Sequence, residues 1–341
     1  MSGPRVAVVG ATGAVGQEIL ARLAARDFPA REVVPFASAR SAGRELRGLI
    51  VQELREDAID GFDIALFSAG STVSRDWAPR FAERGAVVVD NSSCWRMHDD
   101  VPLVVAEVNP EALDDHRGIV ANPNCTAMQA LVVLKPILDA AGIERIVLSS
   151  YQSVSGTGQK AIEELRAQSR AVLDDRRMPN PQVYAHPIAF NVLPQVETFK
   201  DGDDYTTEER KVIAESRKIL GVPDLRVSAT CVRVPVFVSH SEAINLQTRD
   251  ELSPEDCREL LARSPGVQVR DDPAAGVYPL AIDAAGHDDV FVGRIRRDES
   301  ADRTLNLWVV GDNLRKGAAT NTVQLAELLH ERGLVGAHTS R

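Results

Sequence analysis

The amino-acid sequence predicts a two-domain α/β protein. A short β-branched strand at 5–9 stops at a glycine-rich turn, 10–16, and a helical segment follows at 17–27. Apolar strand segments and helical segments continue to alternate over the first half of the chain, which is typical of a doubly wound parallel sheet. In the second half, several strand segments follow one another, which favours an antiparallel or mixed sheet in an α+β domain.

Length and composition agree with this division. A chain of 341 residues is long for one domain, and about two are expected. The net charge of −10 and the pI near 5.3 argue against nucleic-acid binding, which usually needs a basic face. No stretch approaches the ~18 apolar residues of a membrane span, and the N-terminus lacks the pattern of a signal peptide. We therefore expect a cytoplasmic protein that binds neither nucleic acid nor membrane.

The four cysteines are scattered through the chain without CxxC spacing: Cys94, Cys125, Cys231 and Cys257. This distribution argues against a disulfide framework and against a zinc site, so no metal is expected. A reducing compartment is the simplest setting for four such thiols.

The glycine turn has the context of a phosphate-binding loop. Gly10 permits a tight turn after the strand, Gly13 lets a pyrophosphate approach the backbone, and Gly16 allows close packing of helix and strand. The spacing GxxGxxG departs from the usual GxGxxG, but the strand before it and the helix after it fit the motif. The residues expected to line this dinucleotide site are Gly10, Thr12, Gly13, Ala14 and Val15.

The end of the second predicted strand, 31–38, favours NADP over NAD. An NAD site usually has Asp or Glu here to bind the ribose 2′-hydroxyl. The chain instead has Ser38, Arg40 and Ser41, with Arg44 close behind. Hydroxyls and a guanidinium suit a 2′-phosphate. The alternative interpretation is a solvated loop.

Two further strands, at 63–70 and 86–93, continue the pattern, with a helical segment at Thr72–Arg84 between them. Both strands end in small polar residues. Loops at the carboxyl edge of a parallel sheet form the ligand crevice in such domains. The first half is therefore predicted to be a Rossmann-like nucleotide-binding domain.

Cys125 is the most informative residue of the chain. It follows the structure-breaking string Asn-Pro-Asn and precedes a nearly continuous apolar run from Thr126, which predicts a buried helix. At a helix N-terminus, unpaired N–H groups and the helix dipole stabilise a thiolate and lower a cysteine pKa from about 8.5 towards neutrality. Cys125 is thus a candidate nucleophile. A small buried hydrophobic side chain is the alternative.

The second half predicts more strands and fewer helices. A strand at 144–153 leads into the glycine-rich segment 154–159 and a helix at 160–169. A proline-rich segment at 178–195 is predicted to be an irregular loop. The remaining predicted elements are a helix at Thr206–Leu220 capped by Thr206 or Thr207, strands at 226–247, 290–298 and 304–312, and a final helix at 319–333.

Eight motifs occur in order along the chain: GATGAVG (10–16), FASARSAG (36–43), DNSSCWRM (90–97), NPNCTAMQ (122–129), YQSVSGTG (151–158), EERKVIAESRKIL (208–220), CVRVPVFVSHSEAIN (231–245) and GDNLRKGAA (311–319). Together they resemble the motifs of the aspartate-β-semialdehyde dehydrogenases over essentially the whole chain. The resemblance implies an NADP enzyme that makes L-aspartate 4-semialdehyde from L-aspartyl 4-phosphate on the route to lysine, threonine and methionine. It also implies a homodimer or homotetramer, and Ser155, Gly156 and Asn313 resemble further cofactor ligands.

The implied domains are an NADP-binding domain of residues 1–124 with 313–341, and a catalytic and dimerisation domain of residues 125–312. The resemblance also implies the catalytic residues. Cys125 is the nucleophile that forms a thioester and so divides one difficult step into two. The Cys125 backbone N–H and Asn124 are expected to stabilise the oxyanion. His240, expected to close a strand at Val232–Ser239, is the acid–base group that takes the thiol proton, and Gln152 orients the substrate.

The implied substrate carries a carboxylate, an ammonium group and a phosphate, so matching charges are expected. Arg233 resembles the carboxylate ligand, because its planar guanidinium gives two-pronged recognition. Arg96 and Lys211 resemble the phosphate ligands. Glu208 resembles the partner of the ammonium group, with Glu209 as the alternative if the register is shifted by one. Without the resemblance, Glu208 and Lys211 would be a plain helix ion pair at i,i+3.

Two other functions stay open at the level of sequence. An N-acetylglutamyl-phosphate reductase shares the fold plan and the Cys/His chemistry, but its blocked amine would make Glu208 unnecessary. A non-catalytic nucleotide-binding homologue is the second alternative, and the intact Cys125, Gln152 and His240 argue against it.

Overall fold

The computed structural model describes residues 3–335 and confirms the α/β fold with a parallel sheet followed by a mixed sheet. The chain divides into two compact units, of which one runs to Asn124 and resumes at Ala318 while the other spans Cys125–Gly317. Residues 1–2 and 336–341, which the predicted first domain includes, lie outside the described residues. Within residues 3–335 there is no helix of the length and hydropathy that a membrane crossing needs.

The first unit contains a six-stranded parallel sheet in the order β5-β2-β1-β6-β7-β8 and a short antiparallel pair, β3-β4. Its elements before Asn124 are β1 (Arg5–Val9), α1 (Ala14–Ala25), β2 (Glu32–Ala37), β3 (Glu45–Leu46), β4 (Leu49–Ile50), β5 (Gln52–Glu53), β6 (Ile64–Phe67), α2 (Ser71–Glu83), β7 (Val87–Asp90) and β8 (Ile119–Ala121).

The second unit contains a six-stranded mixed sheet in the order β10-β9-β11-β14-β13-β12. Its elements are α3 (Cys125–Ala141), β9 (Ile143–Gln152), α4 (Gln159–Leu173), α5 (Thr207–Leu220), β10 (Arg226–Arg233), β11 (His240–Thr248), α6 (Pro254–Ala262), β12 (Val267–Val269), α7 (Ala281–Ala284), β13 (Val290–Arg297) and β14 (Thr304–Gly311). The pairs β9–β10 and β12–β13 are parallel, and the other pairs are antiparallel. After a π-helix at Arg315–Thr320, α8 (Asn321–Glu331) is the last helix or strand of the described residues.

The core of the first unit follows from the alternation of strand residues between the two faces of the sheet. On β1, Val6 and Val8 pack with apolar residues of α1 and α8 on one face. Ala7 and Val9 pack on the other face in a cluster that includes Phe36 and, from α2, Phe81. Each face of the parallel sheet is therefore covered by helices, which leaves its carboxyl edge for ligands.

The strand predicted at Val232–Ser239 is wrong, and His240 does not close a strand. Strand β10 ends at Arg233, a separate segment follows, and His240 is the first residue of β11. Pro235 lacks an N–H and cannot donate to a strand ladder. Ser239 has a φ of 78°, in the left-handed region that redirects the chain before β11. The break places Arg233 and His240 at two neighbouring strand ends instead of on one strand.

Two helices begin at residues other than those predicted, and a third has the predicted N-cap. Helix α1 begins at Ala14, directly after Gly13, so the glycine turn already contains the first helical turn. The final α-helix begins at Asn321, because a π-helix occupies the preceding residues. Helix α5 has the predicted cap, with Thr206 as the N-cap in a capping box.

Candidate active site

Cys125 is the first residue of helix α3, as expected of a candidate nucleophile. Its side chain is half-buried, and the residues that follow it in the helix are buried. The backbone of Gly317 packs against it, because a Cβ added at Gly317 would lie 2.8 Å from the Cβ of Cys125. A glycine is therefore needed at 317 for this close approach. Asn124, the preceding residue and the last of the first unit, is buried.

Gln152 is the last residue of β9 and connects two helices at the site. Its Nε2 atom lies within hydrogen-bond distance of Thr126 Oγ1, at 2.9 Å, and of Glu208 Oε1, at 3.1 Å. Ser150 Oγ, at 3.2 Å, is a third acceptor. Gln152 is buried, so these acceptors determine the orientation of its amide. The residue after Cys125 is thereby joined to the first turn of α5.

The two adjacent glutamates of α5 point to different groups. Glu209 Oε2 accepts a hydrogen bond from the Thr206 backbone N–H at 2.7 Å, which completes the capping box. Glu209 Oε1 accepts from the Cys231 backbone N–H at 2.9 Å. Glu208 is also buried but is directed to Gln152. Of the two carboxylates, Glu208 is thus the one that adjoins the other site candidates.

Lys211 is ion-paired with two carboxylates. Its ammonium makes a short contact with Glu197, and Glu208 Oε2 lies 3.7 Å away. One positive charge between two negative charges leaves no net positive potential for a phosphate. Lys211 can receive an anion only if Glu197, whose side chain is partly exposed, moves away.

His240 is fully buried at the start of β11. Its Nδ1 atom accepts a hydrogen bond from the backbone N–H of Ser153 at 3.0 Å. Its Nε2 atom is buried and has no hydrogen-bond partner among the described residues. Burial, and secondly the neighbouring guanidinium of Arg233, hold the pKa of the imidazole well below its ordinary value of 6.5. The ring is therefore uncharged at neutral pH.

Arg233, at the end of β10, lies beside the same space. It is buried, and its Nη1 donates to the Ser153 carbonyl at 2.7 Å. Its Nε is buried without a partner in the described part of the chain. A Cβ added at Gly156 would lie 3.2 Å from Arg233 Nη1 and 3.3 Å from His240 Nε2. Because Gly156 has no side chain, the space next to Arg233 and His240 stays open there.

Asn313 and Ser155, expected to bind the cofactor, are engaged with each other. Asn313 Oδ1 accepts from the hydroxyls of Ser153 and Ser155 at 3.0 Å each, and from the Ser239 backbone N–H at 2.9 Å. All four residues are buried. This network joins Ser153, Ser155 and Ser239 through one side chain, that of Asn313.

The glycine turn of the first unit is tightly packed. Gly10 has a φ of 85°, and a Cβ there would lie 2.3 Å from the Ser68 carbonyl oxygen. A Cβ at Gly16 would lie 2.2 Å from the Gly10 carbonyl oxygen. Gly13 is the N-cap of α1 and has no side chain to cap the helix. The first-turn N–H groups, including that of Val15, are thus available to a phosphate.

The other nucleotide candidates of the first unit lie around this turn and after β2. Thr12 precedes the turn's helix, and its carbonyl accepts from Gln17 Nε2 at 3.0 Å. Ser38 and Arg40 are exposed, and Ser41 is buried at the end of a short 3₁₀ turn. Within residues 3–335, no carboxylate pairs with Arg40, so its guanidinium is free to meet an anion.

Arg96, the remaining phosphate candidate, belongs to the first unit, whereas Lys211 belongs to the second. It is buried. Its Nε donates to the Asn122 carbonyl at 3.0 Å and its Nη2 donates to the Asn91 carbonyl at 2.8 Å. These bonds hold the guanidinium at the carboxyl edge of the parallel sheet, beyond β7 and β8.

Sequence reasoning did not single out Ser153, Thr126 or Gly317. Ser153 contributes its N–H to His240 and its carbonyl to Arg233. Almost any residue type has these backbone groups, so the sequence does not indicate such a role. Gly317 can be recognised from the sequence, because a lone glycine in an otherwise helical segment indicates a close approach of another chain segment.

Comparison with known proteins gives one consistent result for both units. Residues 5–116 match a family model described as "Semialdehyde dehydrogenase, NAD binding domain". Residues 134–316 match one described as "Semialdehyde dehydrogenase, dimerisation domain". An aspartate-semialdehyde dehydrogenase of Aquifex aeolicus (strain VF5) is 53% identical over 340 residues, which cover 98% of this chain and 100% of the relative.

Solved structures agree with the sequence relatives. The structure of aspartate semialdehyde dehydrogenase II complexed with ASA from Vibrio cholerae has a TM-score of 0.92 at 45% identity, over 96% of this chain and 98% of that chain. The structure of aspartate semialdehyde dehydrogenase with NADP from Candida albicans has a TM-score of 0.75 at 25% identity, over 98% of this chain and 100% of that chain.

Proposed function

Because the chain belongs to the family of aspartate-semialdehyde dehydrogenases, oxidoreductases of amino-acid biosynthesis, we propose that it reversibly reduces L-aspartyl 4-phosphate to L-aspartate 4-semialdehyde with NADPH. The reaction supplies lysine, threonine and methionine synthesis. We assign nucleotide binding to the first unit and catalysis to the second. The observation that carries the proposal is the position of Cys125 at the start of α3, joined through Thr126 and Gln152 to the buried Glu208.

Cys125 is the nucleophile of the proposed reaction. Its thiolate attacks C4 of the aspartyl phosphate, a C–S bond forms, and the phosphate leaves with the electron pair of the broken C–O bond. The product is a thioester, which accepts a hydride more readily than an acyl phosphate. NADPH, when bound to the first unit, would supply that hydride. The resulting oxyanion at C4 collapses, the C–S bond breaks, and Cys125 returns as the thiolate beside the free aldehyde.

The charges of the proposed site residues match those of the substrate. Glu208, held by Gln152, is assigned to the ammonium group. Arg233, with an unpartnered Nε, is assigned to the α-carboxylate. The phosphate is assigned to Arg96 and to Lys211, and the latter must first release Glu197. The Vibrio cholerae structure, whose bound molecule is given as ASA, supports this class of substrate.

The nucleotide is proposed to be NADP. The uncapped first turn of α1 suits the pyrophosphate, and the tight packing at Gly10 and Gly16 fits a dinucleotide turn. Ser38, Arg40 and Ser41 would hold the 2′-phosphate. The NADP that the Candida albicans structure contains supports this choice over NAD.

We also propose a homodimer, because the second unit matches a dimerisation domain. A tetramer is the alternative. The mass of the purified protein in solution distinguishes the two, and a monomeric mass would contradict both.

One assay tests the activity. NADPH formation is followed from L-aspartate 4-semialdehyde with and without phosphate, with N-acetylglutamate semialdehyde as the matched substrate. We expect phosphate-dependent NADPH formation from the aspartate compound alone. Preference for the N-acetylated compound would favour the second reductase, and no reduction of NADP by either compound would favour a non-catalytic protein.

A further inference from the structure

We infer that Glu197 is an internal competitor of phosphate, which holds the ammonium group of Lys211 in the unliganded chain and is displaced when phosphate binds. Glu197 thereby weakens the affinity for phosphate and favours the departure of phosphate after the thioester has formed. That the anion which meets Lys211 is the phosphate of the reaction rests on the proposed function. The exchange of the carboxylate for an inorganic anion can be followed by binding alone.

Of the two carboxylates that adjoin Lys211, that of Glu197 is the one placed to move. Glu208 lies one turn earlier on the same helix, its side chain is 5% exposed, and its Oε1 atom adjoins the amide of Gln152 at 3.1 Å. Glu197 belongs to the segment between α4 and α5, and its side chain is 39% exposed. Water stabilises an exposed carboxylate that leaves its partner, whereas a buried carboxylate has no such compensation. Phosphate therefore competes with Glu197 and not with Glu208.

The chain on both sides of Glu197 is held to neighbouring elements. Leu193 and Arg233, the last residue of β10, exchange two backbone hydrogen bonds of 2.8 and 2.9 Å. The carbonyl of Thr198, directly after Glu197, accepts from the N–H of Thr207 at 2.9 Å, at the start of α5. A displaced carboxylate therefore stays beside the site, and its high local concentration lets it return when the anion leaves.

The backbone of Glu197 presents its carboxylate to donors that also suit phosphate. Its φ of 64° lies in the left-handed region, where residues with a side chain persist only if their surroundings hold them. From this position Oε1 contacts the Lys211 ammonium, and Oε2 accepts from the Thr207 hydroxyl at 2.6 Å. An ammonium and a hydroxyl are donors to phosphate oxygens as well. The carboxylate of Glu197 thus occupies the place of an anion.

The charges predict the direction and size of the effect. The single positive charge of Lys211 faces two carboxylates, so an approaching phosphate meets a net negative charge. Phosphate binds with its full affinity only to the fraction of molecules in which Glu197 has moved away. A partly exposed ion pair, reinforced by the hydrogen bond from Thr207, is expected to reduce that fraction about three- to tenfold.

Removing the charge of Glu197 should therefore tighten phosphate binding. Glu197→Gln keeps the length of the side chain and an acceptor for Thr207 but loses the negative charge. We expect the KM for phosphate in NADPH formation to fall about three- to tenfold, with unchanged KM values for semialdehyde and NADP. Damage to the fold would weaken binding and so would give the opposite sign. An unchanged or raised KM for phosphate would overturn the inference.

Two further variants show whether the effect passes through Lys211. In the Lys211→Met background, Glu197→Gln should no longer change the KM for phosphate, because the cation for which the two anions compete is gone. Equal effects of Glu197→Gln with and without Lys211 would overturn the inference. Asp203→Asn is the matched control, since it removes the carboxylate that is paired with Arg210 of the same helix, and it should leave every KM unchanged.

Phosphate binding to the resting enzyme separates this inference from the proposed function. The ³¹P line width of inorganic phosphate is measured with full-length wild type and with Glu197→Gln, in the absence of nucleotide and semialdehyde. We expect stronger broadening with Glu197→Gln and none with Lys211→Met. Equal broadening with wild type and Glu197→Gln, or none with either, would overturn the inference. A wild-type enzyme that is inactive on aspartate semialdehyde would contradict the proposed function but leave this comparison valid.

Discussion

Glu209 accepts a hydrogen bond from the backbone N–H of Cys231 across 2.9 Å, which ties the first turn of α5 to strand β10. Its other carboxylate oxygen completes the capping box with Thr206. Both oxygens of Glu209 are therefore used in structure. Glu208, one residue earlier, is left to face Gln152. The sequence leaves the choice between the two glutamates open, and these hydrogen bonds favour Glu208 as the proposed ligand of the ammonium group.

Alanine substitution at Glu209 should lower stability, whereas alanine substitution at Glu208 should weaken substrate binding. Glu209→Ala removes the capping bond and leaves the buried Cys231 N–H unpaired, so we expect a loss of stability of about 1–3 kcal/mol with an unchanged KM for the semialdehyde. Glu208→Ala should raise that KM and change stability less. Thermal unfolding and steady-state kinetics measure both effects. A Glu209→Ala protein that is stable but binds semialdehyde poorly would reverse the assignment.

Cys125→Ser should abolish turnover while NADP binding persists. A hydroxyl is far less ionised than a thiol near pH 7, and acyl transfer depends on the anion. Kinetics and nucleotide titration provide the two readouts. Residual activity within about tenfold of the wild type would remove Cys125 from its role.

Alkylation should discriminate among the thiols. Burial raises the pKa of Cys257 to about 12 and raises that of Cys231 further above its ordinary value, so both stay protonated and unreactive at neutral pH. Iodoacetamide at pH 7, followed by peptide mass spectrometry, should modify Cys125 first, and semialdehyde should protect it. Cys257→Ser should leave the rate of modification unchanged. Faster modification of Cys231 than of Cys125 would contradict this expectation.

Arg40→Ala should lower NADP affinity by about 1.5–3 kcal/mol, the scale of a hydrogen bond to a charged group, and should leave NAD affinity nearly unchanged. The free guanidinium of Arg40 is the reason for this choice of residue. Calorimetric titration of both nucleotides gives the comparison, and Arg44→Ala is the neighbouring control. An equal loss for both nucleotides would indicate a structural role.

Arg233→Lys should raise the KM for the semialdehyde much more than the KM for phosphate, because lysine keeps the charge but loses the planar contact with a carboxylate. Arg96→Ala should show the reverse pattern. The stability of Arg96→Ala must be measured alongside, because Arg96 donates to two backbone carbonyls. If both variants raise the KM for semialdehyde and the KM for phosphate to the same extent, the two arginines do not bind different groups as proposed.

Glu242→Gln should stabilise the protein more as the pH rises. Glu242 is fully buried, neither of its oxygens has a partner within residues 3–335, and burial raises its pKa well above 4.5. Above about pH 4.5 the unfolded chain loses this proton while the folded chain keeps it, so folding stability falls by about 1.4 kcal/mol per pH unit until the folded pKa is reached. The substitution removes that loss.

Urea unfolding at pH 5 and pH 8 measures the effect, with the exposed Glu299→Gln as the matched control. A stability difference between Glu242→Gln and wild type that is the same at both pH values would show that Glu242 ionises alike in the folded and unfolded chain.

The first unit could be predicted from sequence in most of its elements, because buried parallel strands are short apolar runs and the glycine turn marks the first crossover. The second unit could be predicted less well. Pro235 lies within an apolar run that reads as one strand, and the pattern concealed the break at Arg233. The short helices α6 and α7 were not predicted, since nine and four residues carry little periodicity.

The family resemblance predicts which residues form the site, but it does not predict the hydrogen bonds and ion pairs between them. Which of Glu208 and Glu209 faces inward depends on a bond to another strand, namely to Cys231. The ion pair of Glu197 with Lys211 and the backbone bond from Ser153 to His240 join residues that are 14 and 87 positions apart in the chain. Such tertiary contacts have no local signature in the sequence.

The packing of α8 determines when the protein can finish folding during its synthesis. Residues up to Asn124 leave the ribosome before those of the second unit, since domains emerge in chain order. One hydrophobic face of their sheet is completed by Val323, Leu325 and Leu329 of α8, which are translated after the second unit. The nascent N-terminal unit therefore cannot complete its core, and part of its apolar surface stays in contact with water while the whole of Cys125–Gly317 is made. Throughout that interval, the exposed apolar surface makes the nascent chain prone to aggregation.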